Sequence, residues 1–141
     1  MKLIVGVDGS EPANRAIAWC AKYAASLSAE IIAVHAVDIP LYSAPGVGYM
    51  PVAPLTDDDR DDLRGVVQTE WCAALNDASV PYRVVVEDGP PATILMEVAR
   101  REQVDMVVTG RRGRGGFAEL LLGSTSHQLS HHLDCALVIV P

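Results

Sequence analysis

The sequence predicts an α/β fold, a doubly wound parallel sheet with helices on both faces. Three observations carry this. Short apolar runs such as Leu3 to Val7 and Ile31 to Val37 are continuous rather than alternating, as expected of strands buried on both faces. Each is followed by a stretch with apolar residues at three- and four-residue spacing, the pattern of an amphipathic helix. The two kinds alternate as β-α-β-α-β-α-β-α-β, with no repeat, low-complexity tract or linker to divide residues 1–141 into more than one domain. A chain of 141 residues is long enough to bury roughly two-thirds of its unfolded surface in one core.

Leu3 to Val7 ends in Asp8-Gly9-Ser10, a turn, and Ser10 is placed to cap the helix that follows. Pro12 falls in the first helical turn, where its missing N–H costs nothing. Ala13, Ala16, Ile17, Cys20, Ala24 and Leu27 make the buried face, and the helix is expected to end near Ser28. Glu30 to Val37 is the second strand, and two parallel strands joined by one helix form a right-handed crossover. Residues 38–55 change character. Pro40, Pro45, Gly46, Gly48, Pro51 and Pro54, interspersed with Tyr42 and Tyr49, predict a long irregular loop that is either a functional lid or a mobile connection.

Thr56 or Asp57 opens an acidic helix with Leu63, Val66, Val67, Trp71, Ala74 and Leu75 facing inward. Asp57, Asp58 and Asp59 suit the positive end of that helix better than they suit a metal. Tyr82 to Val86 is the third strand, and Gly89-Pro90-Pro91 leads into a helix buried through Ile94, Leu95, Val98 and Ala99. Asp105 to Val108 is the fourth strand. A short helical turn is expected at Phe117 to Leu122, a full helix from Ser124 to about His132, and a last strand from Ala136 to Val140.

Composition excludes several functions. The formal charge of −7 and a pI near 4.9 oppose general affinity for nucleic acid or an anionic membrane. Aromatic residues are only 5% of the chain, too few for a base-stacking surface. No apolar stretch approaches the roughly 18 residues of a membrane span, and Met1-Lys2 runs directly into a strand without signal-peptide architecture, so a cytoplasmic protein is expected. Cys20, Cys72 and Cys135 form no C-x-x-C and read as reduced, partly buried small hydrophobes.

The chemistry is concentrated after the fourth strand. Gly110-Arg111-Arg112-Gly113-Arg114-Gly115-Gly116 and Gly123 together hold five of the chain's eleven glycines, which let main-chain N–H groups crowd an anion, and Ser124-Thr125-Ser126 opens a helix whose first N–H groups lack partners. Arg111, Arg112 and Arg114 are the one dense basic patch, so phosphate is the expected anion, with Arg111 and Arg112 as candidate phosphate contacts. In open parallel sheets ligands bind beyond the carboxyl ends of the strands where the winding reverses. A reversal beside the first strand brings Asp8 close to Gly110; its carboxylate would accept hydrogen bonds from a ribose or adenine, or cap its own turn. A Walker A loop is excluded, because the only lysines are Lys2 and Lys22, and Val7-Asp8-Gly9-Ser10 lacks the glycines of a dinucleotide fingerprint. His127 and His131 stand four apart with His132 adjacent, but without a nearby carboxylate or thiolate partner they read as surface histidines. Ser124 lacks the G-x-S-x-G setting of a hydrolase nucleophile.

Gly110, Gly113, Gly123 and Ser124 together spell G-x2-G-x9-G-S. With Ile4-Val5-Gly6-Val7-Asp8-Gly9-Ser10, His35-Ala36-Val37 and the close from Cys135 to Pro141, the chain resembles the universal stress proteins over essentially its whole length, in particular their ATP-binding class. The resemblance implies a three-layer α/β/α domain with the sheet order 3-2-1-4-5 and a nucleotide across the ends of strands one and four. Asp8 would face the adenosine end, main-chain groups around Val7 and Ala36 would hold adenine, and Thr109 and Gly110 would line the ribose side. Gly113, Gly123, Ser124, Thr125 and Ser126 would wrap the phosphates, with a divalent cation, Mg2+ or Mn2+, bridging them. It also implies a homodimer paired through Leu137 to Val140, which would cover an open sheet edge. The expected role is an ATP-binding sensor or regulatory module with slow or no hydrolysis. The alternative is an interaction or scaffold module of the same fold that takes another adenine nucleotide, such as cyclic AMP, or none.

Overall fold

The apolar runs form the expected five strands in the computed structural model, whose described residues are 1–38, 43–44, 48–49, 55–113 and 122–141. They are β1 (Lys2–Gly6), β2 (Glu30–Val37), β3 (Tyr82–Asp88), β4 (Met106–Gly110) and β5 (Ala136–Val140). All pair in parallel in the spatial order β3-β2-β1-β4-β5, so the order 3-2-1-4-5 is observed. Leu3 lies between Ile31 and Met106, and Val5 between Ala33 and Val108, which places β1 at the centre. The chain winds outward through β2 to β3, returns across β1, and winds the other way through β4 to β5.

The helices are α1 (Glu11–Leu27), α2 (Asp57–Val66), α3 (Ala73–Asp77), α4 (Pro91–Glu102) and α5 (Ser124–His132). Their starts follow from local chemistry. Ser10 Oγ accepts the Ala13 N–H at 3.3 Å, with Pro12 in the first turn of α1. Thr56 and Asp59 form a reciprocal capping box at α2, and the bonds from Thr56 hold the Asp59 carboxyl below its ordinary pKa. Ser28 and Gln103, past the ends of α1 and α4, take the left-handed conformation with φ of 47° and 52°.

Because side chains alternate across a strand, the sheet has two distinct cores. On one face Leu3, Val5, Ile31, Ala33 and Val108 pack with Ala16, Ile17, Cys20 and Ala24 of α1 and with Val67, Cys72 and Leu75. On the other, Ile4, Ile32, Val34 and Val107 pack with Ile94, Leu95, Val98 and Ala99 of α4 and Leu129 of α5. Helices therefore cover both faces, as the continuous apolar strands require.

Two expectations change, and a third lies almost wholly outside the described residues. The single helix expected from Thr56 to Leu75 is interrupted by a π-helical turn at Val67–Trp71. Its closing bond runs from the Cys72 N–H to the Val67 carbonyl, 2.9 Å and five residues back. The extra residue rotates the helix so that Cys72, absent from the 3.6-residue pattern, enters the core beside Val67 and Leu75, while α2 itself buries nothing fully. The stretch 38–55, expected to be irregular, contains a two-residue antiparallel ladder, Ser43–Ala44 with Gly48–Tyr49. The helical turn expected at Phe117 to Leu122 lies outside the described residues except for Leu122.

All three thiols are free; Cys20 and Cys72 are fully buried and Cys135 is half-buried. Burial pushes the Cys20 thiol up to about 12 and Cys72 to about 11, so neither forms the reactive thiolate near neutrality. Alkylation of the native protein at pH 8 is expected to label Cys135 alone, and denaturant to expose all three; rapid labelling of Cys20 or Cys72 without denaturant would contradict this packing. Among the described residues, no helix is long and apolar enough to cross a membrane.

Candidate functional site

The change of winding direction falls between β1 and β4, and their carboxyl ends leave a gap that neither crossover fills. A cavity of about 760 Å³ opens there. Of the residues singled out from the sequence, Val7, Asp8, Ala36, Thr109, Gly110, Arg112, Gly113, Gly123, Ser124, Thr125 and Ser126 all line it. Arg111 is not among the lining residues. Sequence reasoning missed the apolar wall supplied by Val34, Val37, Pro91 and Leu95, and also His35 and Asp38. The apolar residues were hidden because strand and helix cores share their composition. His35 carried a signal, being the one polar side chain within Ile31 to Val37.

At the β1 end, main-chain bonding divides the two residues expected to read a base. The Val7 N–H donates to the Val34 carbonyl at 2.9 Å. The Val7 carbonyl accepts from His35 Nδ1 at 2.7 Å, and because a carbonyl only accepts, Nδ1 carries the proton. The main chain of Val7 is thus already engaged, with one lone pair of its carbonyl left over at the cavity wall. Ala36 differs. Val34 turns its carbonyl toward β1, whereas Val37 turns its own toward Gly89, whose N–H it accepts at 3.0 Å. Alternation therefore directs the Ala36 N–H and carbonyl toward β1, beyond its last pair Gly6 with Val34, and no main-chain bond joins them to that side among the described residues.

Asp8 Oδ1 accepts the Ser10 N–H at 2.9 Å, the turn-capping bond foreseen from the sequence. Its other oxygen lies 2.9 Å from where a Cβ on Gly113 would stand. The carboxylate therefore borders the glycine loop as well as the strand end.

Close approach, rather than unusual backbone conformation, explains the described loop glycines, Gly110, Gly113 and Gly123. Positive φ among the described glycines occurs at Gly9 (74°) and Gly89 (141°), both outside the loop. A Cβ on Gly110 would stand 2.6 Å from the Pro12 carbonyl carbon and oxygen, and one on Gly123 would stand 3.1 Å from Arg112 Cα. Gly115 and Gly116 lie outside the described residues, as does Arg114.

Arg111 is a main-chain junction. Its N–H donates to the Val140 carbonyl at 2.8 Å, and its own carbonyl accepts the Gly123 N–H at 2.9 Å and Ser126 Oγ at 2.8 Å. The two arms of the loop are thereby held together at their base. The arginine pair divides accordingly: Arg112 faces the cavity, and Arg111 supports the loop.

Gly123 caps α5 with φ −72° and ψ 163° and no side-chain bond. The first internal bond of α5 runs from the His127 N–H to the Gly123 carbonyl, so the N–H groups of Ser124, Thr125 and Ser126 have no carbonyl partner among the described residues. They form the positive end of the helix at the cavity wall. Ser126 is buried, and its hydroxyl bonds the Arg111 and Gly123 carbonyls, so its side chain is already engaged while its N–H has no carbonyl partner among the described residues. Thr109, also buried, donates to the Gly110 carbonyl at 3.3 Å. On the outer side of α5, His127, His131 and His132 are exposed, as expected, and the first two rings lie 4.7 Å apart.

Comparison with known proteins identifies relatives of this arrangement. The family described as the Universal stress protein family matches residues 1–141. The universal stress protein YxiE of Bacillus subtilis is 28% identical over 149 aligned residues, covering 99% of this chain and 97% of its own. Among solved structures, the universal stress protein UspA of Lactobacillus plantarum superposes with a TM-score of 0.78 at 17% identity, covering 100% and 97% of the two chains. A universal stress protein in complex with cAMP gives 0.73 at 21% identity with 100% and 97% covered. A family protein from Arabidopsis thaliana with AMP bound gives 0.64 at 18% with 99% and 90% covered.

Proposed function

The chain belongs to the universal stress protein family, and on that premise we propose that its cavity binds an adenine nucleotide, with ATP as the working ligand of a regulatory or sensor module. The carrying observation is that one cavity has, among the described residues, an open main-chain edge at one end and helix N–H groups without a carbonyl partner at the other. The Ala36 N–H and carbonyl offer a donor and an acceptor side by side, the complement of the acceptor and amino group on one edge of adenine. Val34, Val37 and Leu95 supply apolar contact for a flat base. The N–H groups opening α5, with Arg112 and Gly113, suit phosphate oxygens. Thr109 and Gly110 lie between the two ends, where a ribose belongs.

ATP would arrive with Mg2+ or Mn2+. Among the described residues no group of three or more His, Cys, Asp or Glu side chains is arranged to hold a metal, so phosphate oxygens would supply most of the ligands, supplemented from the Ser124 and Thr125 hydroxyls and Asp8. Slow or absent hydrolysis fits the bonding of the groups nearest the ligand: Asp8 and His35 both hold main-chain groups of the cavity wall. The outer edge of β5 carries no strand among the described residues, and Leu137, Val138, Ile139 and Val140 are half-buried there. Pairing of that edge with a second copy would complete a cytoplasmic homodimer.

Cyclic AMP is the second reading, favoured by the relative solved with that ligand. Calorimetric titration with ATP and Mg2+, AMP and cyclic AMP separates the two, and light scattering reports the dimer. ATP is expected to bind in the micromolar range and more tightly than AMP, because its additional phosphate oxygens give the N–H groups of α5 and Arg112 more to bind. Failure of all three nucleotides to bind would overturn the assignment.

A further inference from the structure

We propose that His35 is a positioning residue that keeps the base-reading edge of the cavity open by satisfying the Val7 carbonyl in place of the next rung of the β1–β2 ladder. The inference rests on the adenine reading above.

The ladder runs in register from Lys2 opposite Glu30 to Gly6 opposite Val34, and its last bond is from the Val7 N–H to the Val34 carbonyl. Continued by one step, the same pattern would join the Ala36 N–H to the Val7 carbonyl. That bond is not made among the described residues. The carbonyl instead accepts His35 Nδ1 at 2.7 Å. Val7 is buried, with 4% of its surface exposed, and an unpaired buried carbonyl costs about 1–3 kcal/mol.

Some donor must therefore serve that carbonyl, and the two in register are Ala36 N–H and the neighbouring imidazole. A carbonyl has two lone pairs, so His35 does not forbid a second bond; it removes the need for one. β1 is then free to turn away through Asp8 and Gly9, the latter at φ 74°. The Ala36 N–H remains at the cavity for a ligand. The ring is oriented by Trp71, whose plane meets it edge-on at a centroid distance of 4.9 Å. The π-helical turn that ends at Trp71 thus contributes to the cavity from behind its wall.

The test compares wild type with His35→Leu, which removes the donor, and His35→Asn, whose side-chain amide can donate from nearly the position of Nδ1. His35→Leu is expected to weaken AMP binding about tenfold, the loss of one ligand hydrogen bond, while His35→Asn stays within about threefold of wild type. Hydrogen exchange at the Ala36 amide reads the mechanism directly. It should be fast in ligand-free wild type and slow in ligand-free His35→Leu, where the ladder has closed by one rung. Equal exchange in the two proteins, or equal weakening by Leu and Asn, would overturn the proposal.

Nitrogen-15 NMR of wild type provides a measurement independent of how the variants fold. His35 is expected to carry hydrogen on Nδ1, and hydrogen on Nε2 alone would overturn the proposal. If wild type binds no adenine nucleotide, the functional assignment falls, but amide exchange and the tautomer still decide the role of His35.

Discussion

Gly110→Ala is expected to destabilise the fold by about 2–3 kcal/mol, near the upper end of overpacking costs, with a lower urea midpoint and an unchanged slope. The added methyl would stand 2.6 Å from the carbonyl carbon and oxygen of Pro12 and 2.8 Å from Pro12 Cβ. Two of these atoms are backbone, and Pro12 belongs to the first turn of α1, which is fixed in the core through Ala16, Ile17 and Cys20. No rotamer relieves the contact; α1 or β4 must move. Gly65 in α2 is the control. A Cβ there meets nothing within 4 Å, so Gly65→Ala is expected to stabilise by about 0.5–1 kcal/mol through helix propensity and chain entropy. Equal midpoints for the two variants would show that α1 does not press on β4 as described.

The second large effect is on binding. Gly123→Val is expected to weaken ATP affinity by at least about thirtyfold, corresponding to roughly 2 kcal/mol, with far-UV circular dichroism unchanged. The backbone at Gly123, φ −72° and ψ 163°, is extended and admits a β-branched residue. The disturbance therefore comes from contact rather than strain. Its Cβ would stand 3.1 Å from Arg112 Cα and 3.4 Å from the Arg111 carbonyl oxygen, with the Gly113 nitrogen at 3.6 Å. The methyl groups would separate the two arms of the loop where they are joined and shift Arg112, Gly113 and the start of α5 together. Stability should fall only modestly, by about 1 kcal/mol for the poorer helix cap. Calorimetry with ATP and Mg2+ checks the first part and thermal unfolding the second; unaltered affinity would show that this loop does not seat the phosphates.

Much of this architecture is readable from residue order because strands buried on both faces leave an unmistakable trace. Leu3 to Val7 and Ile31 to Val37 are apolar at both parities, and Ser10 and Pro12 mark a helix start that the structure contains. What escapes is what depends on phase or on partners distant in sequence. The π-helical turn adds one residue to the helical period, so a 3.6-residue reading finds Trp71, which does pack against the core, but omits Cys72, the residue that is fully buried. A glycine announces freedom without saying which kind: Gly110 and Gly123 serve close approach by Pro12 and Arg112, and neither neighbour is identifiable from spacing alone. The engagement of the Val7 main chain depends on an imidazole 28 positions away. Arg111 and Arg112 are identical in type and adjacent, yet only the packing of the loop assigns one to the cavity and the other to its base.

The junction at Arg111 has an evolutionary consequence. The loop is closed at its root by main-chain atoms of Arg111 and Gly123, with one serine hydroxyl, and is tied to the final strand through Val140. The Arg111 side chain does not enter these bonds. Closure entropy rises only slowly with the length of the segment enclosed, so the root accommodates crowns of different sequence and size. Mutation can then vary the enclosed segment while the sheet beneath it is inherited intact.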